Sequence, residues 1–121
     1  VSNVDATLTQ AMLIEGAIAA ALVDFDSGMT LGSAGGGLDL EVAAAGNTEV
    51  VRAKIRTMRA LGLPDNIEDI LITLSSQLHL IRLIQSPNGQ GLFLYLVLDR
   101  DRANLAMARR QLLNLERELT I

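Results

Sequence analysis

Toward the C-terminal end of the chain, Leu105, Ala108, Leu112, Leu115 and Leu119 recur at steps of three and four, the spacing that lines one face of a helix. A helix is therefore predicted from Ala103 onward, with Asp101 as its N-cap. The longest pattern of this kind runs from Leu40 to Leu61, with Asp39 placed to cap it and Gly62 and Pro64 to close it. Taking about 100° per residue, Val51, Ile55 and Met58 share one face of that helix, and Glu49, Arg52, Arg56 and Arg59 share a neighbouring one. Val50, Lys54, Thr57 and Leu61 form a third, mixed stripe, suited to a helix that touches both its own core and another subunit. A shorter amphipathic helix is expected from Asn3 to Ile14, where Val4, Leu8, Ala11 and Met12 keep helical spacing. Asn3 or Asp5 is its N-cap and Gly16 its stop.

Between these segments the pattern changes to strands. Ala17 to Phe25 is almost wholly apolar, and Asp26-Ser27-Gly28 supplies turn chemistry before Met29 to Leu31, so a hairpin is expected. Gly32 to Gly37 reads as a loop. Three further strands, Ile67 to Ser75, Leu78 to Gln85 and Leu92 to Leu98, follow the long helix, with Pro87-Asn88-Gly89 marking the last turn. In Ile70-Leu71-Ile72 and in Leu92 to Leu98 both parities are apolar, which predicts burial on both faces and helices on both sides of the sheet. The expected fold class is thus an α/β (α+β) sandwich around a five-stranded antiparallel sheet, in the order α-β-β-α-β-β-β-α.

Composition narrows the functional classes. The 121 residues are half apolar but only 2% aromatic, so the core is aliphatic, and a chain of this length can fold without staples. The absence of Cys removes thiol catalysis, Cys-based metal centres and redox motifs, and fits a reducing compartment. Ten Lys and Arg against fourteen Asp and Glu give a net charge of −4, which argues against nucleic acid as the main partner. No apolar run is long enough to span a bilayer, so no direct membrane insertion is expected. The chain begins Val1-Ser2, without a charged leader and apolar stretch, and no signal peptide is expected.

Candidate chemistry is sparse. Gly32 and Gly37 have the spacing of a phosphate-binding loop, but Leu38 and Asp39 stand where Lys and a hydroxyl residue are needed. A dinucleotide fingerprint fails as well, because Leu40 takes the place of its third glycine. The lone His79 would have to carry any His-based metal site or triad, and a structural role outweighs that; Ser75 and Ser76, its neighbours on an alternating strand, give no nucleophile–base pair. Asp24/Asp26 and Asp99/Asp101 place paired carboxylates at strand ends, where turn and cap roles account for them. No catalytic, metal or cofactor-binding residues are therefore assigned. The Arg52, Arg56 and Arg59 stripe is the one directional charge, either a surface that meets an acidic partner or anionic lipid or a solvated face with Glu49 pairing to Arg52 or nearby groups.

The run Gly16-Ala17-Ile18-Ala19-Ala20-Ala21-Leu22-Val23-Asp24-Phe25-Asp26-Ser27-Gly28, with the order of elements, resembles the roadblock/dynein light chain family. The resemblance covers nearly the whole chain, including the small-residue segment Gly32 to Gly37 and the helix Glu41 to Leu61; Ser27, inserted before Gly28, departs from the family hairpin. It implies one roadblock-like domain over residues 1–121. It further implies a homodimer in which long helices pack together and third strands pair, here through Val50, Lys54, Thr57, Leu61, Ile70 and Ile72. Proteins of this family bind small Ras-like GTPases or motor subunits without themselves catalysing a reaction. Bacterial relatives partner a gliding-motility GTPase or are encoded beside a sensor kinase and a GTPase, so a sensor kinase complex is a further expected partner. The resemblance implies a cytoplasmic protein, with any membrane recruitment supplied by partners. It makes the chain a non-enzymatic regulator or scaffold, with Arg56 or Arg59 available as an arginine finger if the helix faces the nucleotide. A small-ligand sensor and a structural adaptor stay open as alternatives.

Overall fold

Leu92–Asp99, apolar at both parities, forms the central strand of one antiparallel sheet and is buried along nearly its whole length. The computed structural model describes residues 2–121. In chain order the elements are α1 (Val4–Ala11), β1 (Ala17–Asp24), β2 (Thr30–Gly35), α2 (Leu40–Ala60), β3 (Asp69–Thr73), β4 (Gln77–Leu83), β5 (Leu92–Asp99) and α3 (Leu105–Glu118). The strands lie in the order β2-β1-β5-β4-β3, so the expected architecture and element order are both present. The register sets Leu22 opposite Leu94 on one side of the centre and Leu80 opposite Leu96 on the other.

Strand alternation divides the core in two. Ala20, Leu22, Leu78, Leu80, Leu94, Leu96 and Leu98 face α1 and α3, where Leu8, Ala108, Leu112 and Leu119 close over them. Ala19, Ala21, Val23, Ile81, Phe93, Tyr95 and Val97 face α2, which brings down Ala44 and Val51. The two layers are unequal. Four inter-strand spacings make the sheet about 19 Å across, whereas one helix with its side chains is about 10–12 Å wide. Two helices cover one face; α2 alone cannot cover the other.

The uncovered strip falls at β3. Burial on both faces was expected for Ile70-Leu71-Ile72, but all three are only half-buried. The reason is position: β3 is an edge strand, paired with β4 alone. A second correction concerns the glycine patch, which is not a loop throughout, because β2 runs through Gly32 to Gly35 and pairs with β1. These glycines admit close neighbours. A Cβ on Gly32 would stand 2.9 Å from Leu8 Cδ1 of α1, and one on Gly35, at φ +81°, would collide with the Ile18 carbonyl oxygen and Ala19 Cα.

Of the predicted N-caps, one is present and two change. Asp39 caps α2 as predicted, accepting from the amides of Glu41 and Val42. Asn104 rather than Asp101 caps α3, accepting from the Met107 amide. Asn3 makes no side-chain cap bond to α1; its side chain instead brackets the far end of the chain, donating to the Glu118 carbonyl at 2.8 Å and accepting from the Thr120 amide at 2.7 Å. α1 ends at Ala11, short of Ile14, where the amides of Leu13 and Ile14 turn back to the carbonyls of Gln10 and Ala11.

Two charged contacts tie α3 to the sheet. Arg82, projecting from β4 into the α3 layer, donates from Nε to Glu116 Oε1 at 2.8 Å, and Glu116 Oε2 accepts from the amides of Gln85 and Ser86. Both side chains are buried, so removing one partner strands the other. Arg109 meets Asp69 of β3 in a two-pronged contact at 2.9 and 3.1 Å.

The close approach at Gly35 generates a stability test. Gly35→Ala combines a left-handed φ with a backbone collision and is expected to lower the unfolding free energy by about 2 kcal/mol or more. Gly36→Ala, with nothing within 4 Å of the added carbon, should stay within about 0.5 kcal/mol of the parent. Urea midpoints of the two variants compare them directly, and equal midpoints would contradict the packing argument.

Candidate functional site

The residues singled out from the sequence for partner and dimer contacts gather on α2 and on the strip of sheet it leaves open. Ala44, Thr48, Val51 and Met58 are buried beneath α2, and the Thr48 hydroxyl donates to the Ala44 carbonyl, so the polar group in that layer is satisfied. Roughly a third of a turn away lie the arginines. The structure divides them. Arg52 is committed to its own fold: it donates to Glu49 Oε1 at 3.0 Å and to the carbonyls of Phe25 and Asp26 at 3.2 and 2.7 Å, with its guanidinium 5.6 Å from the Phe25 ring centroid. These contacts clamp the β1–β2 hairpin onto α2. Arg56 and Arg59 are exposed, and neither makes an ion pair or side-chain hydrogen bond among the described residues. With Phe25, Arg52 and Ile55 they line a cleft of about 260 Å³.

The opposite flank of α2 carries the residues assigned to a dimer contact. Val50 and Lys54 line an open groove of about 600 Å³ with Ile67, Glu68, Asp69 and Ile70, so the structure brings helix and β3 residues of that set together. Leu61 is 64% exposed at the C-cap of α2, and Thr57 is exposed with its hydroxyl returned to the Ala53 carbonyl. Ile72 lies farther along β3, opposite His79. At about 100° per residue, Val42, Gly46, Ala53, Ala60, Thr57, Val50 and Leu61 fall in one outward sector. Each of them is exposed. This second apolar and small-residue face was only partly visible in the stripe read from the sequence.

Where helix cover runs out, a polar chain crosses the sheet face. Tyr95 Oη lies 2.9 Å from His79 Nδ1, and His79 Nε2 lies 2.8 Å from Gln77 Oε1. Tyr95 donating to Nδ1 and Nε2–H donating to Gln77 Oε1 satisfy both ring nitrogens, an order that holds the imidazole neutral. Burial lowers the His79 pKa from its ordinary 6.5, and burial also raises that of Tyr95, with Asn47 opposing the rise. His79 is thus a structural histidine.

The remaining candidates resolve into turn chemistry. Asp24 accepts from the Asp26 amide and the Ser27 hydroxyl, and Asp99 accepts from the Asp101 amide. Among the described residues no cluster of His, Cys, Asp or Glu has the arrangement to hold a metal ion. No helix among them is long and apolar enough to cross a membrane.

This sandwich, with one long helix on one face and two on the other, is the roadblock/LC7 fold. A roadblock/LC7 domain from Streptomyces avermitilis superposes with a TM-score of 0.81 at 17% identity, covering 97% of this chain and 94% of that one. Myxococcus xanthus MglB gives 0.82 at 17% identity, covering 95% and 89%. The gliding protein MglB from Thermus thermophilus gives 0.76 at 17% identity, covering 93% and 82%. No protein-family model and no curated protein matches the sequence.

The half-buried histidine sets the direction of a pH effect. Because its folded pKa lies below 6.5, the neutral form stabilises the fold fully above that pH, and the contribution is lost as pH falls from 6.5 through the folded value. His79→Gln should remove that part of the dependence. Urea midpoints between pH 8 and 5.5 should therefore fall more steeply for the parent than for the variant, and parallel curves would contradict the assignment.

Proposed function

We propose that this single domain is a non-enzymatic homodimeric regulator or scaffold of a small Ras-like GTPase. One observation supports the reading: the exposed, largely apolar outward face of α2 and the half-covered Ile70 of β3 meet across an open groove, with β3 at the edge of the sheet. A second copy supplies both missing parts, a helix against α2 and a strand against β3. The roadblock/LC7 fold supports this, as does the tetrameric arrangement known for an MglB that covers 96% of this chain at 18% identity. The groove beside Val50 and Lys54 and the arginine cleft lie on opposite flanks of α2, so a homodimer seated on that groove leaves Arg56 and Arg59 available to the GTPase. A regulator of a nucleotide cycle must prefer one nucleotide state, since equal affinity for both shifts nothing; a scaffold need not.

Light scattering across protein concentration tests the foundation. The parent is expected at twice the chain mass and Leu61→Glu at the chain mass, with unchanged circular dichroism because Leu61 is 64% exposed. A parent that stays monomeric removes the dimer and favours a ligand-sensor reading of the groove beside Val50 and Ile70. With a dimer in hand, titration against a cognate Ras-like GTPase in its GDP and GTP-analogue states separates regulator from scaffold.

A further inference from the structure

Resting on the reading of α2 as a partner-binding helix, we infer that the cleft around Arg56 and Arg59 is a docking groove for an acidic segment of the partner carrying one large apolar side chain. The cleft of about 260 Å³ has an apolar part: half-buried Phe25 and Ile55 line it beside the exposed Arg56 and Arg59. Ile55 and Arg59 also line an adjoining cleft of about 350 Å³, with Met58, Leu63, Pro64 and Leu83, so the groove continues toward the end of α2. One large side chain fills a pocket of the first size, and an extended chain follows the second.

The walls select charge. Arg56 and Arg59 are one helical turn apart on one side of α2, and neither has an internal partner. In a chain of net charge −4, leaving such a pair unneutralised beside apolar side chains makes a local site for carboxylates. Arg52 adds to the positive field without being free to move, because Glu49 and the carbonyls of Phe25 and Asp26 hold it. Its anchoring also fixes the Phe25 wall.

The rim distinguishes a peptide from a membrane. Glu49 and Asp26 are exposed beside Arg52, and Asp65 lines the adjoining cleft with Arg59. A continuous anionic lipid surface would press against these carboxylates, whereas a peptide places its own carboxylates on Arg56 and Arg59 alone. A phosphate group fits the charge but leaves the apolar part empty.

The test is a selection that presupposes no partner. A random dodecapeptide display library is panned on the full chain and counter-selected on an R56E/R59E variant, whose exposed substitutions leave the core intact. Enriched sequences are expected to carry one Leu, Ile, Met or Phe flanked by Asp or Glu. A synthetic peptide from that set should bind saturably and weaken with salt. Its affinity should fall about tenfold or more in R56E/R59E and recover substantially in R56K/R59K. Absence of enrichment, or enrichment indifferent to charge reversal, overturns the proposal. So does displacement of the peptide by millimolar inorganic phosphate alone, or arginine-dependent binding to phosphatidylserine vesicles without any peptide selected. Repeating the selection on Leu61→Glu separates this inference from the dimer: the same sequences should emerge from a monomer.

Discussion

A five-stranded sheet whose central strands are apolar on both faces must be covered twice, and this chain supplies three helices for the purpose. α1 and α3 close one face, leaving Leu80, Leu96 and Leu98 fully buried. On the other face α2 covers the sheet over β1 and β5, and the cover fails toward β3, where Ile70 and Ile72 remain half-buried. The deficit is geometric: about 19 Å of sheet against about 10–12 Å of helix. Much else follows from that shortfall, including the groove between α2 and β3, the polar chain through Tyr95, His79 and Gln77 at the margin, and the strand edge left without a partner.

α2 is consequently an element with three distinct obligations. Its inner face holds the sheet. Its arginine flank is divided between one residue that clamps the hairpin and two that meet solvent, although the three have the same chemistry and helical spacing. The division follows from the hairpin: the carbonyls of Phe25 and Asp26 lie within reach of Arg52 alone among these arginines. Its outer face is made of Gly, Ala, Val and Thr, small enough for another helix backbone to approach closely, with Leu61 at its C-terminal end.

The layers and elements were legible in the sequence because they rest on local period. The steps of three and four in α3, the Asp39 cap and the two-sided apolar run of β5 each carry their meaning within a few residues. What escaped was non-local. Gly32 and Gly35 read as loop residues, yet they are strand residues chosen for the neighbours they admit, Leu8 from α1 and the backbone of β1. Asn3 had the composition of a cap but answers to Glu118 and Thr120 at the other end of the chain. The pairs Arg82–Glu116 and Arg109–Asp69, separated by 34 and 40 positions, leave no periodic trace. For the candidate site, the arginine stripe and part of the outer face could be read from helical angles, but not the loss of Arg52 to the hairpin.

The separation of the two core layers leaves the outer face of α2 free of any part in holding the far layer together. The sheet's hydrogen bonds lie between the layers, so the buried contacts around α1 and α3, with Arg82 and Glu116 among them, do not depend on what covers the far side of α2. Residues on the outer face, such as Leu61 and Val42, are more than 60% exposed and contribute little to holding the chain together. Their apolar character is therefore not accounted for by folding of the single chain. A polar residue at either position would satisfy the fold equally well, so the stability of the single chain places no demand on the apolar character of this face.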